Sequence, residues 1–336
     1  MRDWILLTVM ALSASQALAK NGQPRALFAS DTPIHVTIQG PFRSLVSNRE
    51  KTPRPASLTA DGLTYPITLT PRGISRRTAA ICDFPPLRVE FTKPAPAGSL
   101  FEHQKHLKLV THCKRAEDFQ QKVLLEYSAY KLYNLMTPLS FRARLADIDY
   151  VDETGRPYIS RIGYFLEESN EVAKRNNMSE AQLPDTIPGE LLDPAASARF
   201  AVFEYMISNY DWSMRAGPKG EQCCHNSKLI KAAGSNLVFP VPYDFDWSGL
   251  VDAPYASVQE GINIDTLRQR AYRGYCAHQA QARIFAAQIA PRRAEFLGVF
   301  ATIPGLQPKE QAKAAGFIQG FFNDIDSGKM LKSCVR

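Results

Sequence analysis

The stretch that organises this chain ends with Pro242-Tyr243-Asp244-Phe245-Asp246-Trp247-Ser248-Gly249. It begins with Asn209-Tyr210-Asp211-Trp212 and passes through Cys224-His225-Asn226. Apolar residues at 229–230 and 237–241 indicate two short strands joined at Gly234-Ser235-Asn236, which is a hairpin pattern. Such a hairpin brings Asn226 close to Asp244 and Asp246. Converging carboxylate and amide oxygens suit a hard divalent cation such as Mg²⁺.

The order of the polar residues points to the same chemistry. Asp211 is placed to orient a nucleophile, Asn226 follows about 15 residues later, and Asp244 follows about 18 residues after that, at the end of a strand. Protein kinases place a base, an amide ligand and a second metal carboxylate in this order. Taken singly, each of these residues also fits a structural role in a turn or cap. The joint pattern favours a phosphotransferase site.

The first 19 residues are typical of a cleaved signal peptide. Arg2 supplies the charge, residues 4–12 an apolar core, and Ala17-Leu18-Ala19 a cleavage site. Cleavage after Ala19 predicts an exported protein, periplasmic or secreted, of 336 − 19 = 317 residues. The apolar run is too short to span a membrane, and no transmembrane segment is predicted elsewhere.

Composition narrows the function classes. The chain is 45% hydrophobic and 22% charged, with a net charge of +7, as expected of a globular protein with a real core. The basic balance favours anionic ligands, but the positive residues are scattered and form no run interleaved with aromatics. Nucleic acid is therefore disfavoured as a partner.

An even number of cysteines in an exported chain favours disulfide bonds. A bridge between Cys82 and Cys113 is plausible because each lies beside a predicted strand. A bridge from Cys223 or Cys224 to either of two later cysteines would hold the site segment against the C-terminal helices. The six candidates are Cys82, Cys113, Cys223, Cys224, Cys276 and Cys334.

Hydrophobic periodicity divides the mature sequence into unlike parts. Residues 20–32 are predicted to be a flexible leader, and residues 33–169 a β-rich N-lobe with one main helix from Ala116 to Pro138. Residues 170–194 are predicted to be a linker or lid, and residues 195–336 a mostly helical C-lobe that carries the site. The predicted fold class is α+β, bilobal and protein-kinase-like. Predicted strands cover 34–38, 63–70, 87–91, 107–110, 141–150 and 158–166, with a loop at 47–57; predicted C-terminal helices cover 200–210, 264–289 and 308–325.

A basic turn follows the strand at 63–70. Gly73 and Ser75 lie among Arg72, Arg76 and Arg77, so backbone amides and guanidinium groups are able to meet an anion there. A solvated basic turn is the alternative.

Several segments together resemble the CotH-type (spore-coat protein H) kinases, a divergent protein-kinase-like family, and more distantly the HipA-type kinases. The resemblance covers roughly residues 60–256, and its last block is the most specific. The matching segments are Tyr65-Pro66-Ile67-Thr68-Leu69-Thr70-Pro71-Arg72-Gly73-Ile74-Ser75-Arg76, Leu87-Arg88-Val89-Glu90-Phe91, 107–139, 158–168, Asn209-Tyr210-Asp211-Trp212, His225-Asn226 and Pro242-Tyr243-Asp244-Phe245-Asp246-Trp247.

The resemblance implies ATP as phosphoryl donor, Mg²⁺ or Mn²⁺ as cofactor, and a hydroxyl acceptor, with a protein as the favoured partner. It implies that Asp211 orients the nucleophile. Asn226 and Asp244 would bind the metal, with Asp246 as the alternative to Asp244.

The resemblance also implies a nucleotide-binding set. Lys108 or Arg88 would hold the phosphates. Glu126 would pair with that cation, or Glu167 would face the nucleotide near the hinge.

Departures from the family pattern keep other functions open. Ile74 stands where the family commonly has Asn, and Pro85-Pro86 replaces a basic pair. An inactive pseudokinase that acts as an extracytoplasmic binding module is the first alternative. A metal-dependent phosphohydrolase is the second, although His225 is the one histidine close to the carboxylates in sequence.

Overall fold

A closed β-barrel occupies the first half of the described chain. The computed structural model describes residues 22–336, so the predicted signal peptide, residues 1–19, lies outside the described residues. The strands follow the order β1-β2-β3-β4-β5-β7-β6, and parallel pairing of β1 with β6 closes the barrel. They are β1 (Ile34–Gln39), β2 (Arg54–Ala60), β3 (Leu63–Pro71), β4 (Leu87–Phe91), β5 (His106–Val110), β6 (Ala143–Val151) and β7 (Pro157–Leu166).

Alternating apolar residues fill the barrel. In β1, Ile34, Val36 and Ile38 are buried while the residues between them are exposed or half-buried. Phe42, on the short helix α1 (Phe42–Ser47), is fully buried and meets Tyr150 edge-on, with ring centroids 5.2 Å apart. The same cluster buries Leu27 and Phe28 of a 3₁₀ turn, a part of the chain for which the sequence predicted a flexible leader.

Helices and a small sheet complete the structure. The helices are α2 (Glu117–Met136), α3 (Ser169–Arg175), α4 (Pro194–Ile207), α5 (Gln279–Ile289), α6 (Arg293–Gly298) and α7 (Pro308–Asp326). Strands β8 (Met178–Glu180), β9 (Ser227–Ala232) and β10 (Val238–Pro242) form an antiparallel sheet in the order β10-β9-β8. Among residues 22–336, no helix has both the length and the apolar character needed to cross a membrane.

The predicted bilobal, protein-kinase-like fold is wrong. The first seven strands close into a barrel, and β8 to β10 form a sheet within the parts predicted as linker and helical lobe. One continuous hydrophobic core includes Tyr127 of α2, Tyr164 of β7, Phe203 of α4 and Phe321 of α7. The long helix is therefore packed between the outer wall of the barrel and the C-terminal helices, while the barrel interior forms a second hydrophobic cluster.

The helix predicted over 264–289 is also shorter than expected, because it begins only at Gln279. Two residues that follow α4 form hydrogen bonds with the backbone of the segment that precedes α5. The hydroxyls of Ser208 and Tyr210 donate to the Gln269 carbonyl at 2.6 and 2.7 Å, and the Ala271 N–H donates to the Tyr210 hydroxyl at 2.8 Å. These bonds satisfy backbone groups that a helix would otherwise pair internally.

Three disulfides join the six cysteines. Cys82 bonds to Cys113, as the sequence predicted. The predicted bridge from the site segment to the C-terminal cysteines is wrong, since Cys223 bonds to Cys224 and Cys276 to Cys334. Backbone hydrogen bonds already hold the tail in place: the Cys276 N–H donates to the Val335 carbonyl at 2.8 Å. Three disulfides are compatible with an exported protein.

Removing the Cys276–Cys334 bridge should lower stability measurably. It closes a loop between residues 58 apart, and in the chain-entropy treatment such a loop contributes about 4 kcal/mol to the free energy of unfolding. We expect the double variant Cys276→Ser/Cys334→Ser to lose that amount in urea denaturation. A loss below about 1 kcal/mol would contradict the entropic account, because the denatured chain would then gain little freedom from the cut.

Candidate functional site

A single cleft gathers most of the residues singled out in the sequence. Its volume is about 240 Å³, and it lies where the turn after β3 faces the ends of β9 and β10. Both signs of charge line it. The lining carboxylates are Asp211, Glu221, Asp244 and Asp246; the lining basic groups are Arg72, Arg76, His225 and Lys228; other lining residues include Asn226, Tyr243, Trp247, Gly73, Ile74 and Ser75.

Asp211 follows the end of α4 and is held by hydrogen bonds from three side chains. His225 Nε2 lies 2.8 Å from Oδ1, and Gln259 Nε2 donates to the same oxygen at 2.7 Å. Asn226 Nδ2 donates to Oδ2 at 3.0 Å and to the Asp211 backbone carbonyl at 2.7 Å. The backbone N–H of Asp211 donates to Asn209 Oδ1 at 3.2 Å. The carboxylate is therefore fixed in orientation while remaining on the cleft wall.

The predicted hairpin is confirmed and delivers Asn226 and Asp244 to one cleft. Strands β9 and β10 pair antiparallel, and the Tyr243 N–H donates to the Asn226 carbonyl at 3.1 Å. Asn226 and Asp244 adopt left-handed backbone conformations, with φ of 48° and 66°. Such conformations cost free energy for non-glycine residues and concentrate at functional sites.

Arg76 occupies the acidic cluster beneath the cleft. Oxygens of Glu126, Asp244 and Asp246 lie within 4.8 Å of one another, as a metal site requires. Three nitrogens of Arg76 contact them: Nη2 lies 2.5 Å from Asp244, Nε 3.2 Å from Asp246, and Nη1 3.3 Å from Glu126. The cluster already holds a cation, the guanidinium group of this chain.

Burial governs the ionisation of this cluster. Burial raises the pKa of Asp246 to about 8, although the Arg76 guanidinium acts in the opposite direction. Burial raises the pKa of Glu126 as well. Burial lowers the pKa of Arg76, but Asp246, Glu126 and Asp244 together raise it well above its ordinary value. The guanidinium therefore stays charged while its buried partners resist carrying a full negative charge each.

The donor set fits a divalent cation at Asn226 and Asp244 but not at Asp246. Asn226 uses its Nδ2 toward Asp211, which leaves its amide oxygen as the available ligand atom. The Asp244 side chain is 31% exposed and binds Arg76 through Oδ1. Asp246 is buried, and its Oδ2 is used by Arg76 and the Tyr255 hydroxyl. A carboxyl group with a raised pKa, one oxygen of which already binds a guanidinium and a hydroxyl group, is a poor ligand for a hard cation.

Lys108, proposed from the sequence as a phosphate-binding cation, is half-buried near the cleft. Its ammonium group lies over the rings of Tyr243 and Phe141, at 5.2 and 5.9 Å from their centroids. Burial lowers the pKa of Lys108 to about 8, while Glu168 acts to raise it. Glu168, rather than Glu126, is the acidic neighbour that acts most strongly on the pKa of this lysine.

The remaining predicted nucleotide-binding residues are spread over different environments. Arg72 lines the cleft. Arg88 is half-exposed on β4 and pairs with Glu90 at 3.1 Å, outside the cleft wall. Glu167 is buried in an ion pair with Arg175 at 3.0 Å, so its carboxylate is engaged away from the cleft. Glu126 pairs with Arg76 and not with Lys108 or Arg88.

Sequence reasoning missed three contributors. Gln259 bonds Asp211 from a segment 48 residues further on, and no local pattern marks it. Lys228 lines the cleft from β9, where a strand lysine is ordinary. The Tyr130 hydroxyl accepts the Asp244 backbone N–H at 3.0 Å, although the helical spacing of Tyr130 indicates a core residue. Such contacts between residues far apart in sequence are specified by the tertiary fold.

No protein-family model matches this chain, and none of the curated protein sequences matches it.

Proposed function

We propose that this protein is an exported, CotH-like kinase. It transfers the γ-phosphoryl group of ATP to a hydroxyl group, with a protein as acceptor, and it uses Mg²⁺ or Mn²⁺. The observation that carries the proposal is the bond pattern of Asn226. The amide nitrogen of Asn226 binds both the carboxylate and the backbone carbonyl of Asp211, at 3.0 and 2.7 Å, on a cleft that Asp244 shares.

The roles of the residues follow from their chemistry. Asp211 is held by its neighbours, so Oδ2 is able to accept the proton of an acceptor hydroxyl. The hydroxyl oxygen then bonds to the γ-phosphorus, the bond from that phosphorus to the bridging oxygen breaks, and ADP leaves with the electron pair. Phosphoryl transfer of this kind depends on positioning and on charge neutralisation.

The charges around the cleft suit phosphate. Arg72 and Lys228 line it, and half-buried Lys108 lies beside it with Asp244 among its charged neighbours. Asn226 and Asp244 would hold the divalent cation, which when bound neutralises phosphate charge. A volume of 240 Å³ is below the range of about 300–1,000 Å³ for whole-ligand pockets, so the cleft suits the phosphate end of a nucleotide.

Calorimetry on the mature protein tests this function. We expect ATP to bind in the presence of Mg²⁺ or Mn²⁺ and to bind far more weakly without either. Asp244→Ala should weaken metal-dependent ATP binding at least about tenfold, which corresponds to about 1.4 kcal/mol, because it removes one of two protein ligands. Incubation with γ-labelled ATP and candidate acceptors then measures transfer.

Asp326→Ala is a matched control for the calorimetry. Asp326 lies at the end of α7, is 53% exposed and pairs with Arg293 outside the cleft, so its removal changes the same charge at a remote place. Equal ATP affinity in wild type and Asp244→Ala, with both folded, would sink the proposed metal site.

One observation favours a second function. Because Arg76 already neutralises part of the acidic cluster, the protein offers two ligands to a metal where Asp246 would have supplied a third. The smaller set of metal ligands favours a non-catalytic module that binds a nucleotide. Metal-dependent ATP binding with no transfer to any acceptor would support it, and release of phosphate from simple phosphate esters would instead support a phosphohydrolase.

A further inference from the structure

The segment after β10 contacts the site at two points. Tyr255 donates its hydroxyl hydrogen to Asp246 Oδ2 at 2.9 Å, and Gln259 donates to Asp211 Oδ1 at 2.7 Å. The residue that contacts the acidic cluster and the residue that contacts the proposed base are therefore only four positions apart. Neither residue belongs to a helix or strand.

The two oxygens of Asp211 are used differently. Oδ1 receives the His225 and Gln259 contacts, while Oδ2 receives the Asn226 bond. A carboxylate oxygen offers about two acceptor positions, so Oδ1 is saturated and Oδ2 keeps one position free. The acceptor hydroxyl would take that position.

We propose that Gln259 is a positioning residue for phosphoryl transfer, because it fixes the rotation of the Asp211 carboxylate so that Oδ2 faces the acceptor hydroxyl. This inference rests on the proposed function. His225 and Asn226 come from the same short segment before β9, whereas Gln259 comes from the segment after β10. Gln259 therefore ties Oδ1 of Asp211 to a second part of the chain, which should restrict rotation of the carboxylate more than the His225 and Asn226 contacts alone.

The ligands of the proposed metal are not involved in this contact. The side chain of Gln259 forms a hydrogen bond with Asp211, and Gln259 is not among the residues that line the cleft. Its loss should leave ATP binding intact and should slow the chemical step.

The test compares Gln259→Met, which keeps the side-chain length and removes the donor, with wild type. We expect kcat to fall about 10- to 100-fold, the factor for losing a hydrogen bond to a charged group, while the KM for ATP and the melting temperature stay near wild type. Gln319→Met is the matched control, since Gln319 bonds Asn323 on the surface of α7. A fall in kcat equal to that of Gln319→Met would overturn the inference.

A double-variant cycle with Asp211→Ala separates positioning from a general structural effect. If Gln259 acts through Asp211, then adding Gln259→Met to Asp211→Ala should cause no further fall in kcat. An undiminished 10- to 100-fold effect in the absence of Asp211 would overturn the inference while leaving the kinase function standing. A wild-type protein that binds ATP but transfers nothing would instead overturn the kinase function and, with it, this role of Gln259.

Discussion

Arg76→Met should destabilise the protein by about 3–5 kcal/mol, the usual cost of removing one partner from a buried ion pair. The guanidinium group contacts Asp244, Asp246 and Glu126 through separate nitrogens, and its side chain is only 9% exposed. Without it, three carboxylates face one another with no positive partner. Methionine fills a similar volume, so the loss reports charge rather than a cavity. Urea denaturation at neutral pH measures it.

The pH dependence of this defect has a definite sign. Burial raises the pKa of Asp246 and Glu126, and the variant lacks the guanidinium group that opposes this shift. The folded state therefore binds more protons than the unfolded state at pH values between the unfolded-state and folded-state pKa of each group. Stability of Arg76→Met should therefore increase as the pH falls from neutral toward about 5. A defect of constant size over that range would mean that packing, and not uncompensated charge, causes it.

Two variants calibrate the result. Arg88→Met removes an arginine whose pairing with Glu90 is partly exposed, and we expect a change of about 0–1 kcal/mol. Arg76→Lys keeps the charge but lacks the three-nitrogen fork, so it should recover only part of the lost stability. Arg76→Met as stable as Arg88→Met would contradict the assignment of Arg76 as the resident cation of the cluster.

Local pattern predicted most elements of this fold. The strands at Leu87–Phe91 and Leu63–Pro71 and the helix Glu117–Met136 agree with the expected positions within a residue or so. Strand β2 was missed because Pro55 and the polar residues before it favour a loop. Pro55 is tolerated because β1 pairs only with residues 57–59 of β2, which leaves the Pro55 stretch with a neighbour on one side.

A stronger hairpin signal than the proline was available. Asp61-Gly62 joins β2 to β3, and both residues have positive φ, 50° and 74°. An Asp-Gly pair between alternating segments is a strong local indication of a two-residue hairpin loop. The Asp61-Gly62 pair therefore predicts β2 despite Pro55, but it does not predict that the barrel closes. The parallel pairing of β1 with β6 joins residues more than 100 positions apart, and strand periodicity is the same in an open and a closed sheet.

The candidate site divides in the same way. The hairpin placed Asn226 beside Asp244 correctly, since both lie at the ends of strands that pair with each other. The expectation that Asp246 is free for a metal did not anticipate Arg76, which is 168 residues from Asp244 in sequence. Charge pattern shows which residues are able to ionise, whereas the partner that neutralises each one depends on tertiary contacts.

Asp211→Ala should reduce kcat for phosphoryl transfer about 10²- to 10⁴-fold, the usual contribution of a positioned general base. The expectation rests on geometry. Four groups of the protein hold Asp211: the side chains of His225, Gln259 and Asn226 bind its carboxylate, and Asn209 binds its backbone N–H. ATP affinity in the presence of metal should stay near wild type, because the proposed metal ligands, Asn226 and Asp244, remain.

Asp244→Ala and Asp211→Ala should differ in which property they lose, ATP affinity or turnover. If Asp244 holds the metal and Asp211 the acceptor, the first variant loses ATP affinity while the second keeps affinity and loses turnover. Asp326→Ala should lose neither. Isothermal calorimetry and a single-turnover transfer assay on the same preparations separate the two effects. Loss of ATP affinity in Asp211→Ala equal to that in Asp244→Ala would mean that both carboxylates serve one metal, and Asp211 could then no longer be assigned as the base.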